Sequence, residues 1–348
     1  LRWPAVRAIR QPWTASARGR SGDEDWMGKR LILHVGQSKT GTSTIQDFLA
    51  HNRRRLARQA GLLYPQAGRQ GAAHHRIAAL FLPAGNAGWI RREDAEVLRA
   101  GLEEEMEQNG PGAVVISSEA LFNARSIGDV RGFFSGFSVE ILVILRRQDR
   151  WLDSLYQHQL KVGETDLDPQ PWLAARASTL DYATRVGRWA DVFGDENVRV
   201  GVFEPENLKD GLVAFFFRRA GLPVPDDLEE PPARNERLSR DALAYLRRVR
   251  QQAMAGAERQ RLRRALEEWS QGHPDPASWR YFFSPAERAD ILDRCAASNA
   301  AVARRFLPES GGVLFRDTAI EPTFEPYPGL RPEVATEIER AVAAATEA

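Results

Sequence analysis

The sequence predicts an α/β fold: a three-layer open parallel sheet flanked by helices, with a helical C-terminal cap. Three observations carry this. Short apolar runs alternate with helical patterns up to about Pro223. One run, residues 139–145, reads Val-Glu-Ile-Leu-Val-Ile-Leu, mostly apolar rather than alternating, as strands covered on both faces do. Beyond Pro223 the strand signals mostly stop and helical periodicity continues.

Strands are expected at residues 31–35, 113–117, 139–145 and 198–203. Helices are expected between them at 42–57, 92–108, 149–162, 180–193 and 211–220. In the first helix Ile45, Phe48, Leu49 and Leu56 fall on one face, which marks the side turned to the sheet. Strands that alternate with helices favour parallel pairing through crossover connections. After a Pro-rich joint at 223–232, residues 235–269 and 285–306 read as helices, the first rich in Arg, and 333–345 as a last Ala/Glu helix. The expected organisation is a leader over 1–28, an α/β domain over 29–316 with its cap at about 233–308, and a tail over 317–348. The leader has no apolar periodicity and no apolar centre of a secretory signal. It is expected to be disordered, with the functional domain starting near Met27.

Composition narrows the function classes. The chain has 348 residues, 43% hydrophobic, and a formal net charge of +1. That balance provides no global field for nucleic acid or an anionic membrane. A single cysteine, Cys295, rules out an intramolecular disulfide and suits a reducing, cytoplasmic setting. Apolar runs all fall short of the roughly 18–20 residues a transmembrane helix needs. Only four lysines occur (Lys29, Lys39, Lys161 and Lys209), the other basic residues being Arg.

One of those four lies in the most informative stretch. Gly36-Gln-Ser-Lys-Thr-Gly-Thr-Ser43 links an apolar run to a helical pattern, the layout of a strand, a phosphate-binding loop and a helix N-terminus. The spacing is P-loop-like: Gly36, Gly41 and Ser43 match Gly-x-x-x-x-Gly-Lys-Ser/Thr. The lysine does not match. Position 42 is Thr, and the lysine stands three residues earlier, at Lys39. The amides of about Lys39–Ser43 would face an anion at the helix N-terminus, with Lys39 as a point charge and Thr42, Ser43 and Thr44 as hydroxyl donors. A plain Gly turn with a Ser/Thr helix cap is the structural alternative. A second cluster, Arg146-Arg-Gln-Asp-Arg-Trp-Leu-Asp-Ser154, follows the strand at 139–145. Strand C-termini are where open α/β sheets bind ligands. Arg146 and Ser154 there could hold a second phosphate, although the cluster taken alone reads more readily as a solvated Arg and a plain helix Ser.

Together the two motifs resemble the sulfotransferases that use 3′-phosphoadenosine 5′-phosphosulfate. In that family a Pro/Arg-Lys-Thr/Ser/Gly-Gly-Thr-Thr/Ser motif binds the 5′-phosphosulfate, and residues 38–43 match it except that Ser38 replaces the usual Pro. An Arg at a strand end and a Ser eight residues later hold the 3′-phosphate there, the spacing of Arg146 and Ser154. The resemblance is firm over about 31–160 and fainter to about 315, and it is nearer to the bacterial and carbohydrate-modifying branches.

The resemblance implies Ser38, Lys39, Thr40, Gly41, Thr42, Ser43, Thr44, Arg146 and Ser154 as the nucleotide-binding residues, with Lys39 also acting at the leaving group. It implies no metal requirement. It also implies a His or Glu base for an acceptor hydroxyl, expected on a carbohydrate or glycolipid. Glu119, just after the strand at 113–117, is the first candidate; His74 and His75 compete. Two family features are missing: a Trp after the Thr pair, where Thr44 stands, and a late Arg-Lys-Gly loop, for which Arg304, Arg305 or Arg316 would substitute. The competing functions are a P-loop kinase, which would need Lys at position 42, and a non-catalytic nucleotide-binding protein. The acidic residues Asp166 and Asp168 give a glycosyltransferase only a weak signal.

Overall fold

The apolar run after Lys29 forms the central strand of a five-stranded, all-parallel sheet in the computed structural model of the chain. The structure describes residues 28–83, 94–224, 238–249, 254–276, 279, 281–320 and 327–347. The expected leader therefore lies outside the described residues, apart from Gly28. The strands are β1 (Arg30–Gly36), β2 (Leu62–Leu63), β3 (Ala113–Ser117), β4 (Ser138–Leu145) and β5 (Val198–Val202), in the order β2-β3-β1-β4-β5. Leu31 pairs with Val114 on one side and Val139 on the other, so β1 is covered along both edges. The α/β class and the parallel sheet expected from the sequence are what the chain forms.

Helices cover both faces. On one face α1 (Thr42–Ala60) and α8 (Leu212–Arg219) pack Ile45, Phe48, Leu49 and the Phe215-Phe216-Phe217 run against Ile32, Val115, Leu142 and Ile144. On the other, α2 (His75–Ala79), α3 (Ala95–Asn109), α4 (Ile127–Phe133) and α7 (Tyr182–Phe193) cover Leu31, Leu33, Val114, Ile116 and Val143. Alternate strand residues thus serve opposite layers, as the period of two requires. The buried side chains contribute about 1.5–3 kcal/mol each, so the sheet is the rigid part to which site residues are fixed.

A third cluster builds the cap. It joins α5 (Gln148–Val162), α6 (Pro169–Ala174), α9 (Arg240–Arg248), α10 (Gly256–Gly272), α11 (Pro285–Phe306) and α12 (Pro332–Glu347). Trp172, Leu246, Phe283 and Ile338 are fully buried in it. α11 bridges the layers: Ile291 and Cys295 face the cap, whereas Val302 and Ala303 face the sheet. α12 puts Val334 and Ile338 into the cap core, so the terminal helix packs as part of that core. The single helix expected over 235–269 is two helices. Ser239 caps α9 through the Ala242 N–H, and a non-helical Met254-Ala255 precedes α10. Its arginines are not all solvated. Arg240 is buried, stacks over Phe282 at 4.4 Å and donates to the Trp279 carbonyl at 2.6 Å.

Candidate functional site

The strand order sets where a ligand site forms. From β1 the chain leaves through α1 toward β2 at one edge, and from β4 it leaves toward β5 at the other. A crevice opens where neighbouring strands send their connections opposite ways, outside their C-terminal ends. Here that crevice lies between the loop after β1 and the residues after β4, the positions of the two sequence motifs.

The loop is a shaped turn. Gly36 and Gly41 have φ of 101° and 78°, conformations open to glycine, and Lys39 adopts φ 64° without being one. Thr40 is buried and closes the turn by donating from Oγ1 to the Gln37 carbonyl at 2.6 Å. Gly41 is the N-cap of α1; no side chain caps the helix and no acidic residue lies in its first turn. The first amides of α1 are therefore donors suited to an anion, strengthened by the helix dipole. Thr42 is buried, Ser38 and Lys39 are half-buried, and Ser43 and Thr44 are exposed.

Arg146 reaches the loop from β4. Its Nη1 donates to the Lys39 carbonyl at 3.0 Å, and its backbone N–H approaches Gln37 Oε1 at 3.4 Å. The guanidinium lies over the Phe203 ring at 5.5 Å. Burial lowers its pKa, opposed by the nearby Asp153 carboxylate. The Tyr182 hydroxyl, from α7, sits 2.9 Å from Gln37 Oε1 and 2.8 Å from the Arg146 carbonyl. Gln37 is buried, and its Nε2 finds no hydrogen-bond partner among the described residues. Gln37 and Tyr182 carried no sequence signal, because their contact spans 145 residues.

Ser154 lies further along α5. It is half-buried on the second turn of α5 and makes no hydrogen bond to Arg146 or the loop among the described residues. Six residues into the helix place it roughly 9 Å along the axis from the start of α5.

Glu119 approaches the loop from the β3 side of β1. It opens a 3₁₀ turn, Glu119–Asn123, directly after β3. Its closeness to the loop depends on Gly36: a Cβ there would lie 2.8 Å from both Cα and Cβ of Glu119. Gln46, on α1, donates to Glu119 Oε2 at 2.8 Å.

The two histidines differ sharply. His74 is fully buried; its Nδ1 accepts from the Ser117 N–H at 3.1 Å and its Nε2 faces the Pro65 carbonyl at 3.0 Å. Both ring nitrogens are committed, burial pulls the pKa down to about 3, and no lone pair remains for an acceptor proton. His74 is thereby removed as a base. His75 is half-buried, with Nδ1 2.8 Å from Ser118 Oγ. Its pKa is lowered by burial, against the raising effect of the Glu119 charge.

A later segment also reaches the crevice rim. The buried Glu204, just past β5, accepts from the Arg316 and Asp317 amides at 3.3 and 3.1 Å. Arg147 donates to the Asp317 and Ala319 carbonyls, and Arg150 pairs with the Asp317 carboxylate at 2.5 Å. Arg147 and Arg288 together grip Asp149. Burial would raise that carboxyl, but the two arginines hold it below the usual range. Of the late arginines, Arg316 lines a cavity of about 580 Å³ beside β5, together with Arg218 and Arg219. Arg305 is occupied by Asp191 and Asp195. Among the described residues, no His, Cys, Asp and Glu side chains group as metal ligands, and no helix is long and apolar enough to cross a membrane.

No family model matches the chain. A curated relative, an uncharacterized protein of Archaeoglobus fulgidus, is 22% identical over 213 residues, covering 60% of this chain and 57% of the relative. The chain thus spans little more than half the length of that relative. A solved sulfotransferase from Alicyclobacillus acidocaldarius is 18% identical and superimposes with a TM-score of 0.44, covering 81% of this chain and 98% of that one.

Proposed function

We propose that the chain is a sulfotransferase that moves a sulfonate group from 3′-phosphoadenosine 5′-phosphosulfate to an acceptor hydroxyl. The observation that carries this is the meeting of the two motifs: the Arg146 guanidinium lies 3.0 Å from the Lys39 carbonyl at the crevice between β1 and β4. The residues present suit the donor. Among the described residues, Gln37 Nε2 is a buried donor without a partner, and no side chain caps the N-terminus of α1. Lys39, Thr40, Gly41, Thr42, Ser43 and Thr44, with Ser38 before them, would hold the 5′-phosphosulfate. Arg146 would hold the 3′-phosphate, with Ser154 assigned beside it by spacing alone.

In the step, the acceptor oxygen forms a bond to sulfur as the bond from sulfur to the 5′-phosphate oxygen breaks. The acceptor proton passes to Glu119, and Lys39 offsets the charge growing on the leaving oxygen. A lysine at position 39 rather than 42 suits a donor with no γ-phosphate. The acceptor is proposed to be a carbohydrate or glycolipid, on the motif resemblance. No metal takes part in this scheme.

The test is transfer of labelled sulfonate from the donor across a panel of glycans, glycolipids and phenols. Transfer to a glycan or glycolipid is the expected result. Binding of adenosine 3′,5′-bisphosphate without transfer to any acceptor would instead make the chain a nucleotide-binding protein. Magnesium-dependent ATP turnover would make it a kinase.

A further inference from the structure

Glu119 belongs to a buried chain of polar groups rooted in α1. Gln46 is 3% exposed, and its Nε2 lies 2.8 Å from Glu119 Oε2 and 3.2 Å from Ser117 Oγ. An ionised carboxylate only accepts, so the nitrogen side of the amide must face it. Ser117 is itself fixed: its Oγ is 2.8 Å from His34 Nδ1, its N–H donates to His74, and its carbonyl accepts from the His74 N–H at 2.8 Å. Among the described residues, the Glu119 charge also acts on His75 from α2 and Tyr64 from the segment after β2.

We propose that Gln46 is a positioning residue that locks the Glu119 carboxylate in register with the phosphate-binding turn. The inference rests on Glu119 being the base. α1 begins at the turn and carries Gln46 one turn later, on the same buried side as Thr42. One rigid helix therefore fixes both the anion-binding amides and the carboxylate. With Oε2 held by Gln46, the proton leaving the acceptor hydroxyl is received on Oε1 as the new bond to sulfur forms.

The test is a double-mutant cycle on sulfonate transfer in the full chain, using Gln46→Met, which keeps shape and loses the donor, and Glu119→Gln. Gln46→Met is expected to lower kcat about ten- to a hundred-fold, with calorimetric affinity for adenosine 3′,5′-bisphosphate within about twofold of the parent. In the Glu119→Gln background the same change should cost less than about twofold, because its route to the chemistry is gone. Gln46→Glu, which brings a second carboxylate against Glu119, should be no better than Gln46→Met. An equal loss in both backgrounds would mean that Gln46 only supports the fold. Unchanged kcat for Gln46→Met, with Glu119→Gln inactive, would refute the positioning role and spare the base. Near-normal turnover of Glu119→Gln alone would remove the base assignment, and this inference with it.

Discussion

Three side chains carry the chemistry proposed for the crevice, and each makes a separable prediction. Lys39 holds a left-handed backbone whose carbonyl is anchored by Arg146. Lys39→Ala should lower kcat by about a hundred-fold or more while weakening donor binding less, since its charge acts where negative charge develops. Single-turnover kinetics would separate the two, and near-normal turnover would exclude the leaving-group role. Arg146→Ala should reduce affinity for adenosine 3′,5′-bisphosphate by about 1.5–3 kcal/mol, the worth of a hydrogen bond to a charged group. Normal binding in calorimetry would exclude the second phosphate site. Glu119→Gln should bind the donor as the parent does and lose about 10²–10⁴ in turnover. Gln46 and Gln37 were not legible as functional residues, since an isolated glutamine has no motif. Only the fold shows that one is tied to Glu119 and the other to Tyr182.

At the scale of elements, the turn between β1 and α1 works because two glycines remove obstacles. A Cβ on Gly41 would come within 2.2 Å of Leu212 on α8, at a φ that L-residues rarely adopt. Gly41→Ala should therefore destabilise the chain by about 1–3 kcal/mol, and should weaken bisphosphate binding by displacing the amides of α1. Urea unfolding and calorimetry would check both; an unchanged unfolding midpoint would contradict the packing argument. The glycine spacing itself was readable in the sequence, as were β3 and α11, whose expected limits coincide with the observed ones. β2 and α2 were not, because two and five residues are too few to show a period. The break between α9 and α10 was masked by continuous helical composition and few strong stop signals.

Across the whole molecule, the sheet ends hold buried histidines whose cost depends on pH. His34 and His74 are fully buried, and burial takes each from an ordinary pKa of 6.5 down to about 3. The folded rings stay neutral, whereas the unfolded ones take up protons below 6.5. Their contribution is therefore full above that pH and is lost as pH falls toward 3, at about 1.4 kcal/mol per pH unit for each ring. Urea unfolding between pH 7 and 4 should show stability falling at least this steeply, and His74→Gln should reduce the slope by about 1.4 kcal/mol per pH unit. A flat profile would mean that the rings are protonated in the fold. The Arg147–Asp149–Arg288 group ties α5 and α11 to the segment at Asp317, so cap and sheet are coupled beside the crevice.

The sequence by itself determined the sheet class and the glycine-bounded turn after the first strand, because strand-loop-helix signals are local and periodic, whereas Arg146 was singled out only through the motif resemblance. Tertiary structure decided what those residues meet. The order β2-β3-β1-β4-β5 places Arg146 against Lys39, and a missing Cβ at Gly36 lets Glu119 approach the turn. His74 and His75 are neighbours in sequence, yet one is sealed between backbone groups and the other lies at the edge of the Glu119 site. Burial and hydrogen-bond partners come from chain segments tens of residues away, which no local pattern specifies.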